Sequence, residues 1–293
     1  MMNANVHGAL LMMASMAAFT INDTFVKLLG ATLPLGQILF LRGAATSVIL
    51  LILCWKLRAL GPRLQRRDWT IIAIRTLAEV GAAYFFLTAL IHMPLANVTA
   101  ILQLLPLTVT LAGGLFLGEQ FGWRRLLAIM VGFVGMLCIV RPGTNGFDVF
   151  SLYALVAVLF VTLRDIVTHR LSKGVPSLFV TLMASIGVWV FSWVMLINTT
   201  WVPMQTMEWG YLAGAAAFVG CGYLLSVLVM RVGQVSFVAL FRYSGLLWAL
   251  ALGAIVFGDI PKPLTWLGAA LIVGSGIFTI LRNAQRKNRA KSL

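Results

Sequence analysis

The chain has 293 residues, 61% of them hydrophobic and only 10% charged, with a mean hydropathy of +0.98. Soluble domains carry about 25% charged residues, so a globule this apolar could not cover its own surface with polar groups, and a soluble protein is excluded. The net charge of +14 gathers in "WKLRALGPRLQRR" (55–67) and the tail "RNAQRKNRAKSL" (282–293); both flank apolar runs, where topology and lipid headgroups account for them rather than nucleic acid.

A membrane span needs about 20 apolar residues. In chain order such runs fall at 8–29, 35–55, 69–91, 94–117, 123–141, 147–169, 175–197, 208–231, 235–257 and 263–281. The first has no basic residue before Lys27 and is long enough to span, so a retained helix is expected rather than a cleaved signal peptide. It carries Asn22 and Asp23, with Lys27 one turn beyond the aspartate. Span 2 holds Arg42. Span 3 opens with "RTLAEVGAAYFF", in which Arg75 and Glu79 stand at i,i+4 and can touch. That pair either neutralises itself and tolerates burial, or forms the charged base of a cavity wall continued by Tyr84 and Thr88. In the second case Glu79 would bind a substrate ammonium or titrate with a coupling proton.

Span 4 contains Gln103, a candidate for orienting ligand, and Pro106, where a lost helix bond predicts a kink that frees backbone. In span 5, Gly132 and Gly135 allow close helix packing. Span 6 ends with Arg164 and Asp165, the aspartate having His169 four residues on. Span 8 carries Tyr223. Span 9 opens with Arg242 and Tyr243, a cation for a carboxylate and a ring to stack on an aromatic solute, followed by Trp248. Gly268, Gly274 and Gly276 in span 10 again suit close packing. Charges at membrane depth cost roughly 2.5–3.5 kcal/mol on insertion scales, so the buried ones (Asp23, Arg42, Arg75, Glu79, Arg164, Asp165, Arg242) each demand either a partner or a task.

Ten spans place both termini on one side. With the basic tail inside, fifteen Lys and Arg fall in inside loops and tail against three outside (Lys27, Arg141, Lys262), which predicts cytoplasmic termini. An internal repeat is also visible. "GQVSFVALFRYSGLLWALALGAIVFGD" (233–259) follows "MPLANVTAILQLLPLTVTLAGGLFLGE" (93–119) at an offset of 140 without a gap, and an offset of 142 pairs Asp23 with Asp165 and Pro34 with Pro176. Five spans per half invert the second half. The expected fold class is an all-α integral membrane protein of ten transmembrane helices, built as two inverted five-helix repeats (1–142 and 143–293) around a central cavity. Transporters use that architecture, with a midplane site exposed alternately to each side. Asp23 and Asp165 then read either as helix-end charges with local partners or as a matched pair of gate locks.

Each half ends in a Gly-acid pair and a Gly-rich last span: "LFLGEQFGWRRLLAIMVGFVGMLCIVRPG" and "IVFGDIPKPLTWLGAALIVGSGIF". With "FLRGAA" in span 2 and "TALIHMPLANVTAILQLLPL" across spans 3 and 4, the chain resembles the ten-span EamA-type transporters of the drug/metabolite transporter superfamily. The resemblance covers nearly the whole chain. Among the relatives it is similar to are bacterial exporters of aromatic amino acids, and importers of riboflavin or S-adenosylmethionine, which "FRYSGLLWAL" resembles at least as closely. It implies a basket in which spans 1, 3, 4, 6, 8 and 9 surround the cavity and spans 5 and 10 lie outside.

The expected function is a secondary transporter of small amphipathic metabolites in the bacterial inner membrane, with aromatic amino-acid export the most specific reading and uptake of riboflavin or S-adenosylmethionine the alternative. Glu79, Tyr84, Gln103, Arg242, Tyr243, Trp248, Asn22 and Tyr223 are the candidate substrate contacts; Asp23, Asp165, Arg75 and Pro106 are the candidate gating and coupling residues. No "GxxxxGK[ST]" is present for ATP, and no "HExxH" or "GxSxG" for a membrane-embedded hydrolase. The three cysteines fit no metal or redox spacing. No metal, cofactor or nucleic acid is expected; the partners are a small solute and the bilayer, and the working assembly is a monomer.

Overall fold

In the computed structural model the described residues are 4–61, 64–116, 123–141, 148–168, 170–172, 174–197, 199–229 and 239–291. All regular structure among them is helical: α1 (Ala4–Leu29), α2 (Leu35–Lys56), α3 (Arg66–His92), α4 (Leu95–Leu102), α5 (Leu105–Phe116), α6 (Trp123–Val140), α7 (Val149–Thr168), α8 (Ser177–Leu196), α9 (Thr206–Val229), a 3-10 turn (Ala239–Tyr243), α10 (Ser244–Phe257) and α11 (Pro263–Lys291). Seven helical stretches are long and apolar enough to cross a membrane, and three shorter ones at Leu126–Val140, Phe241–Phe257 and Pro263–Phe278 are apolar as well. The chain is a multi-pass membrane protein.

Proline and glycine punctuate the helices as backbone chemistry requires. Pro34, Pro94 and Pro176 each sit just before a helix, in extended conformation at Pro34 and Pro176, where a missing N–H costs nothing. At the end of α10, Gly258 adopts φ +67°, its N–H bonding Ala254 O at 3.2 Å while Asp259 N–H reaches Gly253 O at 3.0 Å. That is an αL cap, the left-handed residue's N–H returning to the carbonyl four residues before, which needs a residue free of Cβ strain; it explains one of the two Gly-acid pairs. The other, with Glu119, lies outside the described residues, as do residues 233–238 of the aligned segment.

The span holding Pro106 is broken. α4 stops at Leu102, Leu104 N–H turns to Ile101 O at 3.0 Å, and α5 resumes at Leu105. Pro106 has no N–H for Leu102 O, and its ring would strike that carbonyl. Shifting by the repeat offset of 140 carries residues 103 and 104 to 243 and 244, where the 3-10 turn gives way to α10. Among the described residues a departure from α-helix therefore falls at the same register in both halves, although the second has Leu246 where the first has Pro106.

Helix packing shows the same relation. α1 packs on α9 and α3 on α7; α2 pairs with α8, and α6 with α11. Exchanging the halves turns the first pair into the second and maps the other two onto themselves. α6 and α11 approach so closely that a Cβ on Gly135 would stand 2.7 Å from Gly268 O, and one on Gly268 would meet Gly135 O. Only glycines permit that approach.

The largest apolar cluster is well developed at one end of the bundle. Val26, Leu29, Leu33, Ile38, Leu87, Leu90, Met93, Leu95, Ala154 and Leu212 belong to one continuous apolar cluster. All lie toward the end of the bundle that carries loops 30–34, 92–94 and 197–205. Polar ties close the same end: Gln37 Nε2 donates to Val202 O at 2.8 Å, and Val202 N–H returns to Gln37 Oε1 at 3.0 Å. The opposite half has smaller apolar clusters, Leu50 with Cys54, Leu178 and Leu182, and Ile72 with Phe179 and Val180, and the charged residues of α3 and α7.

Candidate functional site

A cavity of about 90 Å³ lies between α2, α3, α7, α8 and α9. Its polar lining is Arg42 and Thr46 from α2, Arg75 and Glu79 from α3, Arg164 from α7, Thr181 and Ser185 from α8, and Tyr223 from α9. Small residues make room: Gly43 and Ala184 face the space, and Gly43 lets α2 lie against Trp189 of α8. Ser47 and Ser185 bridge the same two helices at 3.0 Å.

Glu79 is the hub. Arg75 is one turn away at 3.8 Å, but the closer partner is Arg164 of α7, whose Nη1 donates to both carboxylate oxygens at 3.1 and 3.4 Å. Arg164 in turn holds Asp165, its Nε and Nη2 reaching Oδ1 at 2.9 and 2.8 Å. Charge-assisted bonds of this kind are roughly twice as strong as neutral ones. The pair expected within span 3 is therefore part of a chain, Arg75–Glu79–Arg164–Asp165, that joins the two halves. Arg75 has slack left over: Nη1 reaches Val180 O only at 3.5 Å, and Nε is buried without a partner.

Arg42 differs. Its Nε is buried with no hydrogen-bond partner, and so is the hydroxyl of Thr46 one turn on. Asp23, Tyr223 and Glu79 stand within electrostatic reach of its guanidinium, yet among the described residues no carboxylate is in ion-pair contact with it. Asp23 Oδ1 instead accepts a bond from Asn22 Nδ2 at 2.9 Å.

Two expected local partnerships take a different form. Lys27 does not pair with Asp23; its Nζ bonds Leu90 O at 3.1 Å and Met93 O, and stands 5.4 Å above the Phe257 ring. The end of α3 leaves carbonyls without intrahelical donors and concentrates negative partial charge, and Lys27 satisfies both demands. Asp165 is held by Arg164; His169, its expected neighbour, lies outside the described residues.

Of the candidate contacts, Glu79 and Tyr223 line the cavity, and Arg75 of the gating set joins them. The ring of Tyr223 also meets Phe19 of α1 edge-on at 5.3 Å. Tyr84 packs among Phe85 and Phe191 instead, at 5.2 and 6.1 Å. Asn22 and Asp23 are on α1 beside Arg42 but outside the lining. Gln103, at the α4–α5 break, lies near Gly245 of α10. Pro106 sits beside it, so the backbone it frees is away from the cavity. Arg242 is exposed, and the buried Tyr243 sets its hydroxyl against Gly276, which a Cβ there would overlap. Trp248 is 39% exposed, outside the lining. The cavity is thus bounded by spans 2, 3, 6, 7 and 8 rather than 1, 3, 4, 6, 8 and 9; the small residues of α2 and α8 admit it there, while spans 1, 4 and 9 meet through packed apolar residues. Arg42, Arg164, Thr46, Thr181 and Ser185 were not among the expected site residues. Arg42 and Arg164 stood out by charge at membrane depth, but nothing in their spacing assigned them to the site.

Residues 6–141 match the model of the EamA-like transporter family. The chain is 25% identical over 269 residues to the pseudopaline exporter CntI of Pseudomonas aeruginosa, covering 91% of this chain and 93% of that protein. It is 26% identical to a riboflavin transporter of Vibrio cholerae, covering 98% and 97%, and 23% identical to an S-adenosylmethionine uptake transporter of Rickettsia prowazekii, covering 94% and 92%. A crystal structure superposes on 96% of this chain and 99% of its own with a TM-score of 0.68 at 17% identity, a likeness of fold. The chain is thus similar along most of its length to proteins named as transporters, and over its first half to the EamA-like family. The relatives include proteins named for export and for uptake, and none singles out aromatic amino acids.

Proposed function

We propose that this chain is a secondary transporter, not an enzyme, that carries a small amphipathic zwitterion of the amino-acid type through a cavity centred on Glu79 by alternating access. One observation carries the reading: a cavity of about 90 Å³ in the middle of a membrane bundle is lined by three guanidinium groups and a carboxylate. Counting Asp23 and Asp165 beside it, three arginines face three acids, so a net-neutral solute adds no uncompensated charge to a low-dielectric interior. Among the amino acids, the aromatic ones remain the most specific reading, with Tyr223 as the ring available to them. The names of the riboflavin and S-adenosylmethionine relatives favour a second reading, uptake of a cofactor-sized solute.

The ten-span inverted repeat, with halves 1–142 and 143–293, supplies the two-state element. It is supported by the exchange-symmetric helix packing and by departures from α-helix at matched positions. With both termini in the cytoplasm of a bacterial inner membrane, the apolar cluster seals the outer half and the cavity lies from the midplane inward. Thr181 in the second turn of α8 and Arg164 near the end of α7 sit on that inner side. The Arg164 bridge from α7 to Glu79 of α3 then holds together elements that must part when the cavity opens. At about 90 Å³ the space is below the 300–1,000 Å³ of pockets that enclose a whole ligand, so opening must enlarge it.

Counter-flow in proteoliposomes tests this. Vesicles preloaded with unlabelled solute should accumulate labelled solute transiently for at least one member of a panel of amino acids, riboflavin and S-adenosylmethionine. Linear, non-saturating flux with no counter-flow would mean a channel, and chemical turnover of a panel member in detergent would mean an enzyme.

A further inference from the structure

We infer that Arg42 and Thr46 are the anion subsite of the cavity, and that the carried solute presents a carboxylate to them; this rests on the transport reading above. The two residues are one turn apart on the same face of α2, and both line the cavity. Arg42 Nε and the Thr46 hydroxyl oxygen are each buried without a hydrogen-bond partner. Buried donors left unpaired are costly, more so when charged, and two together on one wall of a cavity mark a place built to be filled.

Charge accounting within the cluster isolates the same spot. Arg164 is shared between Glu79 and Asp165, at 3.1 and 2.8 Å, and Arg75 stands 3.8 Å from Glu79. Both acids in contact with arginine are thereby satisfied, and Arg42 is the guanidinium left without one. Asp23 faces it from α1, but with Oδ1 engaged by Asn22 and outside ion-pair contact. A solute carboxylate would give this guanidinium the contact partner that Asp23 does not. A guanidinium fork beside a hydroxyl offers the planar, multiple donation that carboxylates accept. The space also fits: about 90 Å³ is below the roughly 300–1,000 Å³ of pockets that enclose a whole ligand, so it takes a carboxylate head rather than a whole aromatic metabolite. Tyr223 on the facing helix is placed to meet what the carboxylate is attached to.

The test uses the full chain in lipid nanodiscs, with affinity read by thermal stabilisation and by isothermal titration. The probes are the proteinogenic amino acids, S-adenosylmethionine and 3-phenylpropionate, each set beside its carboxamide. At least one carboxylate should bind, its amide at least about tenfold more weakly, the loss expected for one charge-assisted bond. Arg42→Gln should weaken the carboxylate by about tenfold or more and bring acid and amide to similar affinity; Arg42→Lys should recover part of the loss. Thr46→Val keeps the size and removes only the hydroxyl, so it carries the test should Arg42→Gln fail to fold, with a loss of about threefold or more expected. Amide and acid binding alike in the wild type, or Arg42→Gln binding the acid undiminished, would overturn the subsite. Riboflavin, which has no carboxylate, separates the two levels. Counter-flow of riboflavin with no carboxylate bound would end this inference and leave the transporter; no counter-flow of any solute would end the transport reading itself.

Discussion

Changing Glu79 to Gln removes one charge at the centre of the cluster and keeps the shape. Glu79 is 17% exposed and touches Arg164 at 3.1 Å and Arg75 at 3.8 Å. The two arginines lose unequally. Arg164 retains Asp165 at 2.8 Å, whereas Arg75 keeps only the 3.5 Å contact to Val180 O and already has a buried, unpartnered Nε. Breaking one partner from a fully buried pair costs about 3–5 kcal/mol; the glutamine oxygen still accepts from Arg164, so about 2–3 kcal/mol is expected. At about 2–4 °C per kcal/mol for a chain of this order of size, Glu79→Gln should melt about 5–10 °C lower in detergent or nanodiscs. Adding Arg75→Met should restore most of that loss, because it removes the stranded cation; adding Arg164→Met instead should not, because it strands Asp165. Intrinsic tryptophan fluorescence on heating reads all four proteins. Rescue by Arg164→Met but not by Arg75→Met would refute the assignment of partners. Transport separates function from stability: the double variant Arg75→Met with Glu79→Gln should be stable yet inactive in counter-flow, and full activity would make the cluster structural.

Other outcomes follow from single contacts. Gly268→Leu places a side chain against Gly135 O, a backbone atom that cannot swing away, and should destabilise the α6–α11 pair by about 1–3 kcal/mol or more; unchanged melting would contradict the close approach. Lys27→Met releases Leu90 O and Met93 O, so a cysteine at Leu33 (Leu33→Cys), buried at 4% exposure, should react several-fold faster with a maleimide than in the parent; equal rates would show that Lys27 does not hold that end closed. With the native cysteines replaced, a cysteine at Thr199 should label from outside intact cells and one at Arg58 only after permeabilisation. The reverse pattern would invert the orientation and place the cavity on the outer side.

The spans were legible because about 20 apolar residues admit few alternatives in a bilayer. The expected start of span 3 at 69 falls short of Arg66, where α3 begins; its first turn is polar yet packed, Asp68 being 2% exposed and accepting Ser172 N–H at 3.2 Å. Hydropathy measures the membrane, not the helix, so a polar turn is invisible to it. The same holds for α11, which continues to Lys291 through the basic tail. Within the site, Arg75–Glu79 could be read because i,i+4 contact is local. Glu79–Arg164, 85 residues apart, could not, and neither could the isolation of Arg42, which depends on where every other charge finds a partner. Lys27 shows the opposite failure. Local spacing offered Asp23, but the carbonyls at the end of α3, 63 and 66 residues away, won. Tyr243 and Trp248 lie outside the lining of this cavity, a matter of helix rotation that one sequence of span 9 does not specify.

The central claim is that the cavity between α2, α3, α7, α8 and α9 is the solute site and is exposed alternately to the two sides. Reciprocal labelling tests it directly. In a cysteine-replaced background, Ser185→Cys places a thiol in the cavity lining and Leu33→Cys places one in the sealed end. On adding the solute that shows counter-flow, membrane-impermeant maleimide should label Ser185→Cys more slowly from the cytoplasmic side and Leu33→Cys faster from the outside. Rates that do not change with solute, or that rise or fall together, would contradict alternating exposure of this cavity.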